Sequence, residues 1–147
     1  MSASAFISVV PAEFVAEAWE HAGPILERSV NRTAGRFILD DVLHSITEDG
    51  YLLWVAVRGE DTLGAVVTFF LRYPRKKYLS VQFCAGSELG VWKDLMFDTL
   101  KRFAAENGCD GIEAMGRSGW EGVFRDQGYF PLAQVFEFPI RDIEEVV

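Results

Sequence analysis

The apolar and polar positions at the start of the chain predict a strand followed by three short helices. Residues 5–10 form an apolar run bounded by proline, which is typical of a strand. Residues 11–22 open with proline and have acidic residues near their start, both favoured in the first turn of a helix. Because proline lacks an amide hydrogen, Gly23-Pro24 should end this helix and begin a second one. Residues 37–50 predict the third helix, whose apolar positions recur every three or four residues: Leu39, Val42, Leu43 and Ile46.

Two runs rich in β-branched and aromatic residues predict a β-hairpin in the middle of the chain. Residues 51–57 and 62–73 are joined by the polar Arg-Gly-Glu-Asp at 58–61, which suits a tight loop. A second polar connection, Tyr-Pro-Arg-Lys-Lys, leads into a third apolar run at residues 78–85. We therefore expect a three-stranded antiparallel meander.

The last part of the chain alternates between helix and strand signals. Residues 89–107 predict a long helix, and Gly108 supplies its C-cap. The apolar stripe of this helix is expected to contain Leu95, Met96, Leu100 and Phe103. Residues 109–115 predict a strand, 118–128 a short helix and 131–140 a final strand. The predicted fold class is therefore α/β (α+β), a mixed central sheet with an antiparallel N-terminal meander, flanking helices and a parallel helical crossover.

The size and charge of the chain restrict its class and its partners. A length of 147 residues suits one domain spanning residues 1–147. The 14 Lys and Arg residues are outnumbered by 22 Asp and Glu residues, which gives a formal charge of -8. Since binding to nucleic acid depends on an excess of positive charge on one face, we do not expect nucleic acid as a partner.

Cysteine and histidine positions indicate neither a disulfide framework nor a metal site. Cys84 and Cys109 lie in apolar segments, where a free thiol packs as a small hydrophobe. His21 and His44 lie in predicted helices without other ligands at metal spacing. The first residues lack the features of a signal peptide, and no run approaches the roughly 18 apolar residues of a membrane span. We therefore expect a cytoplasmic protein that does not enter a membrane.

Two segments give the chain a family resemblance. GYLLWVAVRGEDTLGAVV, at residues 50–67, is similar to a hairpin of the GCN5-related N-acetyltransferase (GNAT) family, and VFRDQGYFPLAQVFEF, at residues 123–138, is similar to the C-terminal motif of that family. The order of predicted elements resembles the GNAT fold over almost the whole chain. Two further sequence segments, YPRKKYLSVQF and GRSGW, are also similar to acetyltransferase-like proteins of tailed bacteriophages.

The resemblance implies an acetyl-CoA site in the turn QFCAGSELGVW, at residues 82–92. In the family, the pattern R/Q-x-x-G-x-G/A binds the pyrophosphate of acetyl-CoA through backbone amides. With the last glycine at Gly90, Ala85 replaces the Arg or Gln, and Glu88 replaces the middle glycine. A second register starts at Gln82 and uses Gly86 as an amide donor. The candidate cofactor-binding residues are Gln82, Phe83, Cys84, Gly86, Gly90 and Val91.

The resemblance also assigns a place to a catalytic acid. The family's Tyr that protonates the departing thiolate corresponds to Phe124, which has no proton to give. Tyr129 is the nearest hydroxyl, although its place is that of a packing aromatic in the family. Glu113 and Glu137 are each either a general base or a solvated strand position. The catalytic candidates are thus Glu113 and Tyr129.

Two further segments are candidates for partner binding. Arg72, Arg75, Lys76 and Lys77 cluster in LRYPRKKY, which is either a solvated loop, a contact for the 3'-phosphate of CoA or a surface for an acidic partner. In GRSGWEGVF, Trp120 lies one helical turn before Phe124, so the two rings should share a face. Arg117 and Trp120 are then either part of the packing or a recognition site for a protein partner.

Two functions from different classes follow from these features. The losses at Ala85, Glu88 and Phe124 favour a non-catalytic binding or assembly component, bacteriophage-encoded and virion-associated, with a protein partner in the host cytoplasm or the particle. The alternative is an active acetyl-CoA-dependent N-acyltransferase that acts on an amine and relies on proximity and on polarisation of the thioester.

Overall fold

The computed structural model describes residues 4–116 and 118–140. Contacts divide the chain into two compact units, Met1–Met115 and Gly116–Val147, and each unit is described by itself. No helix in the described ranges is long and apolar enough to cross a membrane.

The first unit contains a five-stranded mixed sheet. Its strands are β1 (Phe6–Val9), β2 (Leu52–Arg58), β3 (Asp61–Arg72), β4 (Lys77–Gly86) and β5 (Gly111–Ala114). They lie side by side in sequence order, with three antiparallel pairings followed by a parallel pairing of β4 with β5. The predicted strand at the N-terminus, the meander and the mixed sheet are confirmed.

The hairpin between β2 and β3 has the tight loop that the sequence predicts. Arg58 pairs with Asp61, so only Gly59 and Glu60 form the loop. Gly59 has a φ of 62°, a conformation that glycine adopts without steric cost. The hairpin therefore brings Arg58 to the end of the sheet at which β4 finishes, since Gly64 of β3 pairs with Gly86 of β4.

The described part of this unit contains three α-helices, α1 (Val15–Val30), α2 (Leu39–Glu48) and α3 (Leu89–Glu106), and a 3-10 turn at Ala12–Phe14 that leads into α1. The prediction that Gly23-Pro24 separates two helices is wrong, because α1 continues through Pro24. Ala22 and Leu26, on either side of the proline, are fully buried in the core. Burial of apolar side chains from both halves offsets the hydrogen bond that proline cannot make.

The core has two layers, one on each face of the sheet. α1 and α2 cover one face, where the buried strand residues include Leu53, Val55, Ala65, Val67 and Phe83. α3 covers the other face, where the buried strand residues include Trp54, Ala56, Val66, Leu79 and Val81. Alternate residues of β2 thus point to opposite layers, as the pleat of a strand requires.

The buried stripe of the long helix α3 differs in part from the predicted stripe. Its buried residues are Trp92, Met96, Phe97, Leu100 and Ala104. Leu95 is 39% exposed, so its assignment to the stripe was wrong. Leu95 lies about 100° around the helix from Met96, on the side away from Phe97 and Leu100, which turns it away from the sheet. The predicted C-cap is confirmed by Gly108, whose φ is 71°.

The second unit contains a short helix and a segment without regular structure. A 3-10 turn at Ser118–Trp120 leads into α4 (Glu121–Asp126), and Gly128 follows with a φ of 91°. The short helix is thus confirmed, but the final strand predicted at 131–140 was wrong. Residues 131–139 have no strand assignment, and the described part of this unit contains no other strand. Alternating apolar residues form a strand only where a neighbouring strand supplies hydrogen bonds.

Candidate functional site

A β-bulge interrupts β4 at Gln82. Phe83 pairs with Val67 and Val81 pairs with Thr68, so Gln82 is an extra residue between two consecutive pairs. The bulge changes which residues face which layer. Val81 is buried on the α3 side, and Phe83 is buried on the α1 and α2 side.

β4 and β5 are paired over only part of β4. Their last pair is Val81 with Ala114, and β4 then continues to Gly86. From the bulge onward, the β5-facing edge of β4 has no strand partner among the described residues. The opening lies at the carboxyl ends of two parallel strands, which is where ligands bind in α/β sheets.

The side chain of Gln82, the residue at the bulge, has an unsatisfied acceptor. Its Oε1 atom is buried, and no described residue donates a hydrogen bond to it. Leaving such an atom unpaired costs about 1–3 kcal/mol, which a ligand with an N–H group would recover. Cys84 lies two residues after Gln82 on β4. Burial raises the pKa of its thiol to about 12. At neutral pH this thiol is protonated and unsuited to nucleophilic attack.

Gly86, the first glycine of the turn after β4, is required by close packing. A side chain at Gly86 would overlap the carbonyl oxygen of Leu63 and would lie 2.9 Å from Cζ2 of Trp92. The indole Nε1 of Trp92 also donates to the carbonyl oxygen of Ser87 at 2.8 Å. Gly86 is therefore required by the close approach of β3 and Trp92, whatever the turn binds.

Glu88 stands where the family pattern has its middle glycine, and it has a conformation suited to glycine. Its φ of 50° and ψ of 44° are left-handed, at the N-cap of α3. The carboxylate forms an ion pair with Arg58, at 2.8 Å between Oε2 and Nη2. The positive charge of Arg58 reduces the repulsion that Glu88 would exert on a bound phosphate.

The amides of this turn are partly occupied. The Ser87 amide donates to the Leu63 carbonyl at 2.9 Å, and the Val91 amide donates to the Glu88 carbonyl at 2.9 Å. The first-turn amides of Leu89 and Gly90 have no acceptor within the helix, as at any helix start. Of the sequence candidates in α3, Gly90 thus fits amide binding of an anion better than Val91 does.

Glu113 accepts a hydrogen bond from Tyr73, a residue that was not among the sequence candidates. The Oη of Tyr73 donates to the Glu113 carboxylate, at 2.9 Å from Oε1 and 3.1 Å from Oε2. This hydrogen bond raises the pKa of Tyr73 above its usual value, so the hydroxyl keeps its proton. Glu113 pairs with Ser80, two residues before Gln82. The backbone of Glu113 is therefore one pair before the point at which the two strands separate, and its carboxylate reaches towards Tyr73 at the amino end of β4.

The basic cluster lies at the start of β4, at the opposite end from the turn. Lys77 is already engaged, since its Nζ donates to the carbonyl of Asn107 at 2.8 Å and lies 4.5 Å from the Phe70 ring centroid. Arg75 and Lys76 are exposed in the loop before it. Ten residues of strand span about 30 Å. This separation argues against a contact with the same CoA that the turn would bind.

The second unit contains the remaining candidates. The Phe124 ring lies between two others, 6.0 Å from the Trp120 ring and 5.3 Å from the Tyr129 ring. The shared face of Trp120 and Phe124 is thus confirmed. Tyr129 contacts Phe124 as a packing aromatic does, and its amide donates to the Phe124 carbonyl at 2.9 Å. Glu137 is exposed. Arg117 lies outside the described residues.

Arg58 and Tyr73 are the two site residues that sequence reasoning missed. Their partners are 30 and 40 residues away in the chain, Glu88 and Glu113 respectively. A two-residue hairpin loop could have placed Arg58 near the end of the sheet, but nothing in the sequence aligns it with Glu88. In the described ranges, no group of three or more His, Cys, Asp or Glu side chains is arranged to hold a metal ion.

Comparisons with known proteins identify the fold. No protein-family model matches the chain, and no curated protein matches it by sequence. Among the solved structures that are similar to it are the following three. An aminoglycoside acetyltransferase HMB0005 from an uncultured soil metagenomic sample is 14% identical, with a TM-score of 0.70 over 92% of this chain and 98% of that chain. The aminoglycoside N-acetyltransferase AAC(6')-Iy, in complex with CoA, is 12% identical, with a TM-score of 0.67 over 95% and 96% of the two chains. A tetramutant of the BH1408 protein from Bacillus halodurans is 14% identical, with a TM-score of 0.67 over 91% of this chain and 99% of that chain.

These likenesses show that the chain has the acetyltransferase fold that the sequence resemblance predicted. At identities of 12% and 14% they show the fold alone. Activity must be argued from the site, because one fold supports many functions. The similar structures give no support to the narrower likeness to bacteriophage proteins.

Proposed function

We propose that this protein binds an acyl-CoA along the open edge of β4 and transfers the acyl group to an amine. The observation that supports this most directly is the bulge at Gln82, where the sheet opens and a buried acceptor lacks a donor. The donor supplies an activated acyl carbon as a thioester and, in its pantetheine arm, amide N–H groups that suit an unpaired carbonyl oxygen.

The chain's own groups have distinct tasks in this proposal. Gln82 Oε1 accepts from the donor's arm, and the backbone beyond the bulge offers hydrogen bonds along its free edge. The first turn of α3, with the amides of Leu89 and Gly90, faces the diphosphate. An amide directed at the thioester oxygen stabilises the charge that develops there during attack. Positioning and backbone polarisation need no dedicated acid, which suits a chain with Phe124 in the place of the family's tyrosine.

The second candidate function is a binding or assembly component without turnover. It is favoured by Glu88, whose carboxylate stands at the entrance of the diphosphate site, and by Phe124. The ion pair with Arg58 partly neutralises the Glu88 carboxylate, so Glu88 is weaker evidence against acyl-CoA binding than its charge alone suggests. For that reason we rank the acyltransferase above the non-catalytic component.

Calorimetric titration with acetyl-CoA tests the proposal. We expect a dissociation constant in the micromolar range, and about fivefold weaker binding in Gln82→Ala, because one hydrogen bond contributes about 1 kcal/mol. Gln134→Ala is the matched control, since Gln134 is exposed in the second unit and should leave affinity unchanged. Absence of binding at about 1 mM acetyl-CoA would overturn the proposal. Binding without thiol release across a panel of amines would favour the second candidate.

A further inference from the structure

One face of the sheet presents a row of side chains from neighbouring strands beside the opening. Phe69 of β3 pairs with Ser80 of β4, and Ser80 pairs with Glu113 of β5, so these three side chains share a face. Tyr51, just before β2, stacks on Phe69 with ring centroids 4.6 Å apart and planes inclined by 14°. Ile112 and Ala114 pack on the α3 side, which directs Glu113 to the opposite face.

A second pair of aromatic rings lies on the amino-terminal side of Ser80 along β4. Tyr78 precedes Ser80 by two residues on β4, and its ring is 5.6 Å from that of Tyr73 in an edge arrangement. Tyr73 donates to Glu113, as described above. The buried Ser80 thus has Phe69 beside it on β3, Glu113 beside it on β5 and Tyr78 two residues before it on β4. We call this set the aromatic trough: Tyr51, Phe69, Tyr73, Tyr78, Ser80 and Glu113.

The aromatic trough is close to the bulge. Ser80 and Gln82 are two residues apart on β4, which corresponds to about 7 Å along a strand. Glu113 is also one pair away from the last pair of β4 with β5, so a small molecule bound at the aromatic trough would lie beside the opening between these strands.

We propose that the aromatic trough is the acceptor site and that it selects a primary amine attached to an aromatic or flat apolar body. The ammonium contacts Glu113, and the flat body lies against the rings. Tyr73 is a positioning residue, because its hydroxyl fixes the Glu113 carboxylate from the side. This inference rests on the proposed function for the chemistry, while amine binding itself does not require it.

The proton and bond changes at this site balance as follows. Glu113 accepts one proton from the ammonium, which frees the nitrogen lone pair. The nitrogen forms a bond to the acyl carbon, the carbon–sulfur bond breaks, and sulfur leaves with the electron pair. The second proton released by nitrogen neutralises the thiolate through solvent, and Glu113 returns its proton to water.

The charge around the aromatic trough argues against a polycationic acceptor. The trough contains one carboxylate, and the loop that includes Tyr73 also has the exposed Arg75 and Lys76. Each additional ammonium would lack a carboxylate in the trough and would be repelled by these two cations. The chemistry therefore differs from that expected for the aminoglycosides named for two of the similar structures.

Calorimetric titration of the full chain with 2-phenylethylamine, without donor, tests the site. We expect binding by the wild type, about tenfold weaker binding by Glu113→Gln and about threefold weaker binding by Tyr73→Phe. Glu48→Gln, at an exposed position of α2, is the control and should bind like the wild type. Equal affinities for Glu113→Gln and Glu48→Gln would overturn the proposal, as would tighter binding of spermidine or sisomicin than of 2-phenylethylamine.

Steady-state kinetics with acetyl-CoA separates positioning by Tyr73 from a structural effect. Tyr73→Phe should raise the KM for 2-phenylethylamine and leave the KM for acetyl-CoA unchanged. An equal rise in both constants would contradict a positioning role. If acetyl-CoA binds and 2-phenylethylamine does not, this inference fails and the proposed function stands. If the amine binds in a Glu113-dependent way and acetyl-CoA does not, the proposed function fails and the amine site stands.

Discussion

The two ends of β4 are organised by different physical interactions. At its carboxyl end, Gly86 fits against Leu63 and Trp92 so closely that a methyl group would overlap backbone atoms. At its amino end, the contacts are hydrogen bonds at the surface, such as that of Lys77 with Asn107. The first end is fixed by shape and the second by exposed polar groups. We therefore expect the carboxyl end to tolerate substitution poorly and the amino end to tolerate it well.

The largest effect should come from Gly86→Ala. The added methyl would require β3 to move away from β4 or Trp92 to leave its buried position, so we expect a loss of at least about 3 kcal/mol in the free energy of unfolding. Gly90→Ala is the matched control, because nothing lies within 4 Å of its added Cβ. This control should be neutral or stabilise the helix by up to about 1 kcal/mol. Urea denaturation measures both, and a similar result for the two variants would contradict the distinction between shape and surface.

The buried thiol of Cys84 should give the next effect, at alkaline pH. Below about pH 9, folded and unfolded chains both hold this proton. Above it the unfolded chain loses the proton first, because the folded pKa is raised to about 12. Stability should therefore fall from pH 9 towards pH 12 by at most about 1.4 kcal/mol per pH unit from this group. The measurement is the difference between wild type and Cys84→Ala across that range, and a difference independent of pH would refute the expectation.

Glu88→Gly should affect ligand binding at the carboxyl end of β4 more than it affects stability. Glycine removes a left-handed strain of about 1 kcal/mol, and the lost ion pair, which is half exposed, offsets at most about 1 kcal/mol of that gain. Stability should change little, while affinity for acetyl-CoA should rise about fivefold, because a carboxylate no longer faces the diphosphate. Calorimetry on Glu88→Gly and Glu88→Gln separates charge from backbone conformation. Unchanged affinity in both variants would place the diphosphate elsewhere.

The smallest effect is expected at the amino end. Lys77→Ala removes a hydrogen bond to the last turn of α3 and a contact with the Phe70 ring, and should cost about 1 kcal/mol. Lys76→Ala, one residue away and exposed, should change stability by less than about 0.5 kcal/mol. Thermal unfolding of the two variants checks this, and a loss of more than about 3 kcal/mol in Lys77→Ala would show that this end too is fixed by packing.

Local sequence signals predicted most of the fold because the elements in question are locally determined. The hairpin loop at Gly59 and the cap at Gly108 each depend on a few adjacent residues. The failures involve distant partners. Helix α1 continues through Pro24 because the sheet buries both halves of the helix, and residues 131–139 form no strand although their pattern suits one. Local preference is overridden wherever tertiary contacts decide.

The candidate site was less predictable than the fold. The sequence directed attention to Gln82, Gly86 and Glu113, but it could not indicate that Gln82 is an extra residue in the ladder. Nor could it reveal the pairs of Arg58 with Glu88 and Tyr73 with Glu113, since each pair forms only after the sheet has assembled. Such pairs depend on strand register, which a single sequence does not encode locally.

The bulge at Gln82 acts as a phase shift of one residue in the alternation of β4. Before it, Leu79 and Val81 belong to the α3 layer, and after it Phe83 belongs to the opposite layer. In a chain with Gln82 deleted, Val81 and Phe83 would be consecutive residues of a regular strand and would still point to opposite layers, so only the bulge would be lost. Deletion of Gln82 would therefore remove the bulge without changing which core layer receives Phe83, whereas an insertion or deletion elsewhere in β4 would also move its buried residues out of register.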